Sequence, residues 1–106
     1  MPKFMFTARY TPAGLHGTIA EGFAAREQYI RSLIEDLGGT VEAFYWAYGE
    51  TDTLLIVDAP APVAMAFAMV VSSREDALEI MTTPLLTAAE MEESRALLPQ
   101  FRSPGD

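Results

Sequence analysis

From Lys3 to Tyr10 the chain alternates, with Phe4, Phe6, Ala8 and Tyr10 set against Met5, Thr7 and Arg9. A period of two predicts a strand with one strongly apolar face. Residues 11–17 hold a proline and two glycines and read as a break. Thr18-Ile19-Ala20-Glu21 matches a capping box, in which hydroxyl and carboxylate each satisfy the other residue's amide. Ile19, Phe23, Ile30, Leu33, Ile34 and Leu37 then recur at helical spacing. Arg26, Glu27, Arg31 and Glu35 fall mainly on the wet side. Gly38-Gly39 ends this helix.

The next segment, 40–48 and 53–58, reads as a β-hairpin that is apolar on both faces. Pairing across residues 49–52 sets Tyr48 opposite Thr53, Trp46 opposite Leu55 and Phe44 opposite Val57. Tyr45 and Ala47 then fill the other face, with Ile56 and Leu54. A small antiparallel sheet normally keeps one face wet. Helices of the same chain can cover one apolar face; the second calls for another cover, most simply a second copy. Pro60 and Pro62 stop the sheet, and Pro62 suits a first helical turn. The helix it opens, 63–71, is apolar nearly all round, a second sign of self-association. Residues 77–82 read as a fourth strand. Thr87-Ala88-Ala89-Glu90 is another capping box, opening an acidic helix through Leu98. Residues 99–106 form a loose tail from which Phe101 can dock.

The order is β-α-β-β-α-β plus a terminal helix. It predicts an α+β, ferredoxin-like domain over residues 1–98: a four-stranded antiparallel sheet with helices on one face. The apolar second face predicts a homodimer or higher oligomer.

Composition narrows the function. Acidic residues number 15 against 7 basic ones, for a net charge of −8. That argues against nucleic acid, whose binding rests on basic residues, and against anionic membrane surfaces. No run of about 18 apolar residues is present, so no membrane span is expected. The start is too short in apolar residues for a signal-peptide core, which makes a cytoplasmic location the default. Cysteine is absent and His16 is the one histidine. Thiolate chemistry and Cys-based zinc sites are thereby excluded, and no cofactor or metal is expected.

The run Phe44-Tyr45-Trp46-Ala47-Tyr48-Gly49-Glu50-Thr51-Asp52, followed by Leu-Leu-Ile-Val-Asp-Ala-Pro, resembles the GYD domain family. That family is named for a Gly-Tyr-Asp signature, commonly Gly-Glu-Tyr-Asp, at this turn. The opening Met-Pro-Lys-Phe, the Arg-Tyr-Thr-Pro-Ala-Gly segment and Gly38-Gly39 are similar too. Gly49 and Asp52 match; Thr51 stands where the signature has tyrosine, so no role of that phenol carries over. The resemblance implies a dimeric α/β barrel. It implies no reaction, since barrels of this type include cofactor-free monooxygenases, lactone isomerases, haem-degrading enzymes and ligand binders.

Candidate chemistry is sparse. Asp52 can serve as acid or base, or cap its own loop. Arg9, inside a strand, needs an anion if its face is buried: a carboxylate ligand, or Glu42 or Glu79 of its own fold. His16, in the loop, is a candidate proton-transfer group, as histidine side chains often are. Tyr45, Trp46 and Tyr48 can stack on a flat ligand or fill the sheet interface. The resulting expectation is a self-associating module that binds a small aromatic or carboxylate compound or is purely structural. One alternative is a cofactor-independent isomerase or monooxygenase using His16 or Asp52 as base and Arg9 as anion clamp. Another is a partner-binding subunit.

Overall fold

The computed structural model describes residues 1–106, the side chain of Leu78 excepted. The elements run β1 (Lys3–Tyr10), α1 (Pro12–Glu21), α2 (Phe23–Asp36), β2 (Thr40–Trp46), β3 (Thr53–Asp58), α3 (Ala61–Ser72), β4 (Ala77–Leu85) and α4 (Ala88–Ala96). The four strands form one antiparallel sheet in the order β2-β3-β1-β4. This is the predicted ferredoxin-like arrangement, with two helices rather than one in the first crossover.

Alternation sorts the strands into two faces. Phe4 and Phe6 of β1, Val41 and Phe44 of β2, and Leu55 and Val57 of β3 are buried under α2 and α3. Ile34 of α2 and Phe67 of α3 close this core, with Phe67 edge-on to Phe6 at 5.0 Å between ring centroids. On the opposite face Met5, Thr7, Leu54, Ile56 and Thr83 are half-buried, and Tyr45 and Met81 are exposed. No helix of the chain lies over that face. Charges stand at its two ends. Lys3 reaches Asp58 at 2.8 Å and Glu42 at 2.9 Å, while Arg9 sits at the other end, exposed.

Several sequence expectations are corrected. Residues 11–17 are helical. Thr11 caps α1 by accepting from the Gly14 amide, and Pro12 occupies the first turn, where a missing N–H is no loss. His16 is therefore on a helix, not in a loop. Thr18 makes no capping box; it is buried within α1, and its hydroxyl donates to the Gly14 carbonyl at 2.9 Å. The long helix is instead split at Gly22, whose φ of 102° only glycine adopts readily. The hairpin register is shifted by two residues, pairing Trp46 with Thr53, Tyr45 with Leu54 and Phe44 with Leu55. A shift of two keeps every side chain on its predicted face, but it leaves Ala47 and Tyr48 in the turn. β4 runs on through Pro84 to Leu85, which an edge strand tolerates. The second capping box is made as expected, Thr87 and Glu90 each satisfying the other's amide.

Candidate functional site

The helix-covered face is not filled throughout. Phe6 and Phe67 pack tightly at one end, but Ala8 on β1 and Ala77 on β4 are too short to meet the helices above. The result is a cavity of about 350 Å³ between the sheet, α2 and α3. Its floor is Phe6, Ala8, Phe44 and Leu55, and Ile30, Leu33, Val70 and Val71 come down from the helices.

Polar groups gather at one side. Thr53 is buried and its hydroxyl donates to the Tyr10 phenol oxygen at 2.8 Å, which leaves the phenol proton free to donate. Burial pushes the Tyr10 pKa up; the Thr53 hydrogen bond and the Arg26 charge oppose this, and Asp52 adds to it. The phenol therefore remains a neutral donor across the physiological range. Arg26 and Arg74 both line the cavity. The Arg26 guanidinium lies 4.9 Å from the centre of the Tyr29 ring, and its nearest acid, Glu21, is 3.7 Å away. Most of its donors are thus uncommitted. Arg74 is exposed and makes no ion pair among the described residues. An apolar chamber with a phenol and two guanidinium groups is chemically suited to a compact hydrophobic anion.

The residues singled out from sequence are dispersed. Arg9 borders a separate hollow of about 680 Å³ on the open sheet face, with Glu50, Thr51 and Glu79. Glu79 is its register partner, yet no ion pair forms within 4 Å, and Glu42 is taken by Lys3. Trp46, Tyr48 and Asp52 share a third hollow, near Phe23 and Leu15. There Trp46 meets Phe23 edge-on at 5.0 Å. Tyr45 points from the open face and is 67 % exposed; Tyr48 is 95 % exposed in the turn. His16 is exposed on α1 and borders none of these three hollows.

The signature turn works as a staple. The Asp52 carboxylate accepts from the Tyr10 amide at 2.8 Å, and the Asp52 amide donates to the Ala8 carbonyl at 2.8 Å. The Thr51 hydroxyl lies within reach of the carbonyls of Ala8 and Thr53. These bonds complete β1 where its pairing with β3 ends at Ala8, and so they hold Tyr10 at the cavity. Among the described residues, no buried side-chain nitrogen or oxygen lacks a partner, and no group of three His, Cys, Asp or Glu stands together. No helix is long and apolar enough to cross a membrane among those residues.

Sequence reasoning missed Arg26 and Arg74. For Arg26 the signal was present: it lies three residues after Phe23 and four before Ile30, on the packed stripe rather than behind it. Arg74 carries no local signal, because it reaches the cavity only through the turn between α3 and β4.

Compared with known proteins, the family model of the GYD domain matches residues 4–94. Among curated proteins no match was found.

Proposed function

The chain belongs to the GYD domain family, and from that premise we propose that it is a self-associating protein that binds a small apolar acid. The ligand occupies the cavity beneath α2 and α3, its acidic group toward Arg26 and Arg74 and its body on Phe6, Phe44 and Leu55. The observation that carries this reading is the pairing of an apolar chamber with loosely committed guanidinium groups and a free phenol donor. A volume of about 350 Å³ suits a ligand of one or two rings, at the small end of ligand pockets. Binding, rather than turnover, is favoured because the two bases considered from sequence are placed elsewhere. His16 is outside the cavity, and the Asp52 carboxylate is engaged by the Tyr10 amide.

Calorimetric titration with small aromatic acids and their uncharged amides tests this. The acids should bind and the amides bind worse. Arg26→Met should weaken acid binding by about ten- to a hundredfold, the loss of one charge-assisted hydrogen bond. The free variant should melt near the wild type, since the contact with Glu21 is long. Arg9→Met, on the opposite face, should leave affinity unchanged. Acids that bind wild type and Arg26→Met equally would overturn the reading, as would a loss confined to Arg9→Met.

Self-association through the open sheet face rests on a separate observation. Met5, Leu54, Ile56 and Met81 form an apolar patch there with no cover from their own chain.

A further inference from the structure

Every residue from 86 to 106 is exposed, α4 included. The segment projects from the end of β4 as an arm. Its effect on shape is large: the radius of gyration is 16.8 Å and the molecule measures 55 × 33 × 22 Å. A compact chain of this length has a radius of about 13 Å. Yet the arm holds a nine-residue helix with a completed capping box. Helices shorter than about 12 residues are marginal in water unless something packs against them. Among the described residues of its own chain, nothing does. Met91 lies on that helix and Leu98 two residues past its end; they are 57 % and 74 % exposed, and Phe101 beyond them is 83 % exposed.

We propose that this arm is a clasp: residues 88–101 of one copy pack through Met91, Leu98 and Phe101 on a second copy of the same chain. The inference rests on the reading that the open sheet face is covered by that second copy. Area is the reason for choosing this occupant. Four strands at about 4.8 Å spacing and about seven residues long give a face of roughly 450 Å² in projection. A standard interface needs about 800 Å² from each partner. In a two-fold pair each copy gives one arm and receives another. A helix about 14 Å long and about 10 Å wide, counted twice, supplies most of the difference. The arm therefore completes the interface that the sheet face begins.

The test uses the full chain. Protomers carrying a photoreactive benzophenone side chain in place of Met91, half of them isotopically heavy, are mixed and irradiated. The clasp predicts cross-linked pairs that include heavy–light species. Cross-links confined to single chains overturn it. In parallel, Met91→Glu with Leu98→Glu should raise the dimer dissociation constant about a hundredfold or more in sedimentation. The circular dichroism of the folded domain should stay the same, because neither residue touches it. A dimer of unchanged affinity sinks the clasp and leaves the sheet-face reading standing. A wild type that remains monomeric at high micromolar concentration sinks both.

Discussion

Tyr10 joins the cavity, the signature turn and the end of β1, and its phenol reports on all three. Burial raises its pKa above the ordinary value of 10.0. Below pH 10 the phenol is protonated in folded and unfolded chains alike, and its ionisation does not affect stability. As pH rises through about 10, the unfolded chain gives up the proton first. The unfolded state then binds fewer protons, so stability falls with rising pH until the folded phenol also ionises. Denaturant unfolding across pH 9 to about 11.5 should therefore show wild type losing stability faster than Tyr10→Phe. The variant should start lower by about 0.5–1.5 kcal/mol, having lost the Thr53 hydrogen bond, and the gap should close above pH 10. Parallel curves would mean that the phenol is more solvated than its setting implies.

Among the elements, α1 shows how close packing decides where a helix can lie. Its Gly14 passes so near the turn before β4 that a Cβ there would stand 1.9 Å from the Asp76 carbonyl oxygen. That carbonyl also accepts from the Thr11 amide at 3.0 Å, so it has little freedom to move. Gly17, one turn later, has nothing within 4 Å of its own would-be Cβ. The two glycines should respond oppositely to one methyl group. Gly17→Ala should stabilise by about 0.5–1 kcal/mol, the ordinary helical advantage of alanine. Gly14→Ala should destabilise by about 1–3 kcal/mol, because overpacking against backbone exceeds that gain. Melting both variants beside wild type checks the pair; equal shifts would show that α1 is not held against Asp76.

For the whole molecule, the two faces of the sheet make different demands. Leu55 is 4 % exposed under the helices, whereas its neighbour Ile56 lies half-buried on the open face. Leu55→Glu should unfold the protomer, since a carboxylate enters a dry core without a partner. Ile56→Glu should leave the protomer folded and abolish self-association. Light scattering with thermal melts separates the outcomes; an Ile56→Glu variant that associates like wild type would remove the sheet face as the interface. With a net charge of −8 on each copy, long-range repulsion would oppose the proposed assembly, so apolar area would have to carry it. Exposed apolar side chains stand on the open face (Tyr45, Met81), along α3 (Met65, Met69, Val70) and on the α4 arm (Met91, Leu97, Leu98).

What could be read from sequence follows from the range of the forces involved. The alternation of Phe4, Phe6, Ala8 and Tyr10 against Met5, Thr7 and Arg9 assigned β1 and both its faces. The capping box at Thr87 and Glu90 started α4. The two-sided apolarity of the hairpin separated Leu55 from Ile56 even with the register two residues off, because a strand's period is two. The family followed from the hairpin and its turn. These signals lie within a few residues of one another and need no knowledge of what packs above them. Residue 11–17 was misread because proline and glycine usually break structure. There Thr11 and Pro12 form a helix start, and Gly14 is set by its approach to Asp76, far along the chain. The cavity likewise exists only because Ala8 of β1 and Ala77 of β4, distant in sequence, both come to line the space beneath α2 and α3, and Arg26 and Arg74 reach the same cavity only when both helices are seated. Such juxtapositions belong to the packed chain, as does the separation of the α4 arm from its own core.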